Sequence, residues 1–89
     1  LLDRQLAVIP STARRARARF GVRRALAHAQ DGEVDQACEA ARDVLADVAL
    51  VDSATVRLDL VELIRTLNRW HSHRAVRELQ IELTPLLRR

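Results

Sequence analysis

The chain is 89 residues long, with 15 basic and 12 acidic side chains and a net charge of +3. That length holds one domain with a modest core, and a charge of that size permits an acidic partner without requiring one. Two Gly and two Pro are too few for the many turns of an all-β fold, and the single Cys excludes an internal disulfide framework.

The apolar residues predict helices in chain order. Leu2, Leu6 and Ile9 recur at i, i+4 and i+7 on a short leading helix that Pro10 ends. Ser11 or Thr12 is placed to cap a second helix reaching about Gln30. Asp31-Gly32 is a turn pair, and a third helix is expected from about Glu33 to Leu50. Asp52 or Ser53 caps a fourth, which reaches about Trp70. A fifth runs from near His73 toward Leu87, with Pro85 expected to kink or fray its last turn.

The third helix has one apolar face, made of Val34, Ala37, Cys38, Ala41, Val44, Leu45 and Val48. Asp35, Glu39, Arg42, Asp43 and Asp47 are expected on its wet side. The second and fourth helices each carry two apolar stripes. In the second they are Ala18, Val22, Ala25 and Ala29 against Ala16, Phe20 and Ala27. In the fourth they are Val56, Leu60, Leu63, Ile64, Leu67 and Trp70 against Ala54, Leu58 and Val61. Two stripes predict a helix held between two neighbours. The alternation of two-faced and one-faced helices is what stacked helix pairs need. An offset of 38 residues, the spacing of Ala37 and Ala75, superimposes nearly all of these apolar positions.

The run from Ala25 through Gly32 and Ala37 to Ala41 resembles a tetratricopeptide (TPR) repeat. That family places a small residue where Ala25 stands, Gly where Gly32 stands, and Ala where Ala37 stands. The second copy departs from the pattern: Leu63 replaces the small residue, and Trp70 falls at the Gly position. The segments Arg23–Ala29, Gly32–Cys38 and Arg74–Leu79 also resemble the C-terminal TPR-like part of actinobacterial helix-turn-helix transcriptional regulators. The resemblance implies a protein-interaction and dimerisation module, with DNA bound only through a separate N-terminal domain. It also implies a concave surface lined by the first helix of each pair, where Arg19, Arg23, Arg57 and Arg65 are the candidate groove residues.

The expected fold is therefore all-α, one domain over residues 1–89. Residues 1–10 would end a preceding repeat, 11–50 form a first helix pair, and 52–87 form a second, degenerate pair. Leu58, Val61, Leu2, Leu6 and Ile9 are candidates for self-association, because exposed apolar stripes on small domains mark interfaces.

Two other functions compete. The arginines from Arg14 to Arg24 suggest direct nucleic-acid binding, but they fall on two opposite sides of the helix rather than one. A stand-alone TPR adaptor or scaffold is the other. No catalytic constellation is legible: there is no phosphate-cradling Gly loop, and no nucleophile beside a base. No cofactor is expected. His71 and His73 are too few for a metal site, and Cys38 reads as a core residue. No apolar run reaches the roughly 20 residues of a membrane span. Leu1 to Pro10 is not laid out as a signal peptide, and a cytoplasmic location is the expectation. The absence of Met leads to the expectation of a piece of a longer protein.

Overall fold

A computed structural model describes residues 10–88. Among them every regular element is helical: α1 (Ser11–Gln30), α2 (Val34–Asp43), α3 (Leu45–Leu50), α4 (Ala54–Leu67) and α5 (Arg74–Leu83). Short 3-10 turns, Asn68–Trp70 and Thr84–Arg88, extend α4 and α5. The chain is thus all-α, as its composition of good helix formers requires. The leading stripe of Leu2, Leu6 and Ile9 lies outside the described residues.

Local signals set most of the boundaries. Pro10 itself occupies the N-cap of α1, and no side chain caps that end, so neither Ser11 nor Thr12 has the expected role. α1 closes with the backbone bonds of a Schellman motif. Glu33 N–H donates to His28 O at 2.8 Å and Gly32 N–H to Ala29 O at 3.1 Å. Gly32 supplies the left-handed residue this needs, with φ +79°. Ser53 caps α4 by accepting from Val56 N–H at 3.3 Å, one of the two candidates for that role. α5 gives way to a 3-10 turn at Thr84–Arg88, where Pro85 withdraws a backbone donor.

The helix expected over 33–50 is broken. Val44 has φ −117° and ψ 9°, which separates α2 from α3. The break lies at a close approach to α1. A Cβ on Gly21 would fall onto Val44 Cγ1, and would lie 2.7 Å from Cγ2 and 2.9 Å from Val44 Cβ. Gly21 is therefore the point at which α1 touches the α2–α3 junction.

The break also moves Asp47. It was expected on the wet face, but it is only 5% exposed. The turn at Val44 rotates α3 so that Asp47 faces α1, where it accepts from Arg14 at 3.3 Å and meets Arg17 at 3.5 Å.

Pairs between helices give their directions. Arg14 meets Asp47, Gly21 meets Val44, and His28 meets Glu33, so α1 runs antiparallel to α2 and α3. Gln80 donates to Ile64 O at 3.3 Å, and His73 N–H to Trp70 O at 2.8 Å, so α5 returns antiparallel to α4. Across the two hairpins the sense is parallel. Asp35 meets His73 at 3.4 Å, and Arg42 meets Glu82 at 2.8 Å. Arg23 meets Asp59 at 3.1 Å. The Asp35–His73 contact spans the same 38 residues as the pattern in the sequence. α1 and α4 thus lie side by side, as do α2 and α5.

One core serves both hairpins: Ala18, Val22, Ala25 and Ala29 of α1, Ala37, Cys38, Ala40 and Ala41 of α2, Val48 of α3, Val56, Leu60, Leu63 and Leu67 of α4, and Val76, Leu79 and Leu83 of α5. Burial raises the pKa of the Cys38 thiol. The nearby Arg42 charge opposes this rise, and Asp35 adds to it. Small residues on α1 and α2 let those helices approach, and larger leucines fill the space at α4 and α5.

Candidate interaction surface

The second apolar stripes do not pack between neighbours, contrary to the sequence pattern. Ala16, Phe20 and Ala27 on α1 are exposed, and so are Ala54, Leu58 and Val61 on α4. Phe20 is 80% exposed and Leu58 71%. The reason lies in the packing of α1 and α4. Each meets its hairpin partner and its parallel neighbour through one broad core face and its flanks, so the opposite face is left open.

These two open faces point the same way. Phe20 lies opposite the buried stripe of Val22, Ala18 and Ala25, and Leu58 lies opposite Leu60, Val56 and Leu63. Both buried stripes face the common core. The residues opposite them on two parallel neighbours therefore project away from α2 and α5. The Arg23–Asp59 pair, one turn beyond Phe20 on α1 and one residue beyond Leu58 on α4, puts the two at similar heights. Neighbouring helix axes pack about 8–10 Å apart, so two side chains at one height form one patch.

Basic side chains border the patch. A hollow of about 570 Å³ runs along Ala16, Arg19, Phe20, Arg23 and Arg24 of α1. A second, of about 470 Å³, is bordered by Thr12, Arg15, Ala16 and Arg19 of α1 and by Asp52, Ser53 and Thr55 at the start of α4. Sharing Ala16 and Arg19, the two form one continuous surface.

The four candidate groove arginines separate. Arg19 sits at the junction of the hollows, exposed and without an ion pair. Arg23 borders the patch, but its guanidinium is held by Asp59. Arg65 lies two turns beyond Leu58, on the outward face of α4, bound to Glu62 at 3.3 Å. Arg57 is two residues, about 200° of helix rotation, from Asp59. Asp59 points at α1, so Arg57 lies on the far flank of α4, where it binds Asp52 at 2.9 Å. The structure brings Arg19, Arg23 and Arg65 to one face and leaves Arg57 apart. Of the self-association candidates, Leu58 and Val61 are exposed on that face, and Leu2, Leu6 and Ile9 lie outside the described residues.

Sequence reading missed Phe20 as the most exposed aromatic of the surface, because its stripe was expected to be covered. The spacing of 38 between Phe20 and Leu58 was the available signal. It also missed His73, placed in an exposed turn. His73 Nδ1 accepts from Ala75 N–H at 3.2 Å, which caps α5. Its other nitrogen, Nε2, then carries the proton toward Asp35, 3.4 Å away.

No family model, curated protein or solved structure matches this chain. The surface is therefore read from its own chemistry. Among the described residues no three His, Cys, Asp or Glu side chains gather as a metal would require. Among the same residues no helix is long and apolar enough to cross a membrane.

Proposed function

We propose that this chain is a non-catalytic protein-interaction module, and that its docking surface is the outward face of α1 and α4. The observation that supports this is the pairing of Phe20 and Leu58, two large apolar side chains exposed at one height on parallel neighbouring helices. Exposed patches rimmed by polar groups mark binding sites on small domains. Full burial of Phe20 and Leu58 against a partner would contribute about 1.5–3 kcal/mol each. Phe and Arg are also the residue types enriched at interface centres. The resemblance to helix-turn-helix regulators supplies a setting, in which another domain binds DNA and this one receives a protein signal or a second copy.

The test compares the wild-type chain with Phe20→Asp/Leu58→Asp against three probes. These are the chain itself in a sedimentation concentration series, synthetic amphipathic peptides of acidic and basic character, and a DNA duplex. The reading expects saturable binding to a peptide or to a second copy, weakened at least about tenfold in the double variant. Both positions are exposed, so helicity should be unchanged. Binding to the duplex alone, or protein binding that ignores both substitutions, overturns the reading.

A further inference from the structure

The charges around the patch say what kind of partner it fits. Most described arginines already hold a carboxylate: Arg14 and Arg17 share Asp47, Arg42 holds Glu82, Arg57 Asp52, Arg65 Glu62, and Arg74 Glu78. Six described arginines hold none: Arg69, Arg77 and Arg88 near the end of the chain, and Arg15, Arg19 and Arg24, which all lie within five residues of Phe20. Arg15 and Arg19 border the hollow that continues the patch toward the start of α4. The one carboxylate there, Asp52, is bound to Arg57. Arg24 borders the patch on its other side. Glu39 and Asp43 line a hollow with Arg24, so its field is partly offset there. Beside Phe20 the uncompensated charge is thus that of Arg15 and Arg19.

We infer that the α1–α4 face binds an acidic amphipathic segment of a protein partner. Apolar side chains of the segment seat on Phe20 and Leu58, and its carboxylates pair with Arg15 and Arg19, with Arg24 on the opposite flank. This rests on the interaction reading above and adds the chemistry of the partner. Guanidinium groups match carboxylates in a two-pronged geometry, and complementary charge sets specificity and the rate of encounter. A second copy is the less suitable occupant. A two-fold contact through this face would bring two sets of Arg15, Arg19 and Arg24 together. The carboxylates that could answer them, Asp59 and Glu62, are already bound to Arg23 and Arg65.

The test uses the full chain and two fluorescein-labelled synthetic helices. Both carry Leu at i, i+3, i+4 and i+7, one with Glu and the other with Lys at the flanking positions. Fluorescence anisotropy at low salt should show the Glu peptide binding at least about tenfold more tightly than the Lys peptide. The difference should shrink as salt screens it. The Arg15→Glu/Arg19→Glu variant should reverse the preference while keeping its helicity. Equal affinities, a preference for the Lys peptide, or a preference unmoved by charge reversal overturns the inference. Self-association or Lys-peptide binding that Phe20→Asp/Leu58→Asp abolishes would overturn the acidic partner but leave the interaction face standing. No binding of either peptide up to about 1 mM, with no self-association, would overturn both.

Discussion

Gly21→Ala is the most informative single substitution for the fold. Helix propensity alone says it should stabilise the protein, because Gly in a helix interior costs about 0.8–1 kcal/mol relative to Ala. The packing says the opposite. The added methyl would overlap Val44 Cγ1 and come within 2.7 Å of Cγ2 and 2.9 Å of Cβ. Rotating Val44 cannot relieve contact with its own Cβ, and a β-branched side chain has few rotamers to choose from. The backbone must move, and overpacking of this kind costs about 1–3 kcal/mol. The contact involves three atoms of a stiff side chain, so the upper half of that range applies. The expected net loss is about 1–2 kcal/mol, or a fall in Tm of about 5–15 °C for a domain of this size. Urea denaturation followed by circular dichroism measures it directly. Val44→Ala provides the control. Alone it should destabilise by about 1 kcal/mol through lost packing, whereas in the Gly21→Ala background it should recover part of the loss, since it removes both Cγ contacts and leaves the one with Cβ. A Gly21→Ala protein more stable than wild type, with the two substitutions additive, would refute the close approach of Gly21 to Val44.

Three further outcomes follow from the same packing. Gly32→Ala should cost about 1 kcal/mol from its left-handed backbone alone, because nothing lies within 4 Å of the added methyl. No second-site substitution should rescue it in the same urea assay. Asp47→Ala should destabilise by about 1–3 kcal/mol, since it strips a charged hydrogen bond from the part-buried Arg14, while Asp43→Ala, exposed on α2, should be near neutral. Burial favours the neutral Cys38 thiol in the folded chain. Above the ordinary thiol value of 9.0 the unfolded chain therefore binds fewer protons than the folded one, and stability falls as pH rises through that window. Cys38→Ala should remove this slope, and a slope identical in the two proteins would exclude Cys38 as its source.

The all-helical class was legible because the helix formers and the i, i+3, i+4 spacing agree from Ser11 to Leu83. Contacts between the two hairpins span 36, 38 and 40 residues, around the 38-residue offset of the apolar pattern. The break at Val44 was not legible, because the apolar pattern of 33–50 continues through it and the contact made there, with Gly21, is with another helix. Asp47 was misplaced for the same reason, since a continuous helix would have kept it with Glu39 and Asp43. The second stripes of α1 and α4 were read as buried because periodicity reports which residues are apolar and says nothing of what covers them. For the candidate groove, sequence spacing placed Arg19 and Arg23 on one side of α1. It had no means of showing that Arg57 turns to the far flank of α4. That orientation is fixed only once the chain is folded, by the Arg23–Asp59 pair that turns Asp59 toward α1 and by the pair of Arg57 with Asp52.

The central claim is that the outward face of α1 and α4 is where this protein meets another. A titration of the Glu-flanked amphipathic peptide into the isotope-labelled chain, followed by amide chemical shifts, tests it most directly. The account predicts shifts concentrated at Ala16, Phe20, Arg23 and Arg24 of α1 and at Leu58 and Val61 of α4. Ile81, also exposed but on α5, should stay unmoved. Shifts centred on Ile81, or spread evenly over the molecule, would contradict it.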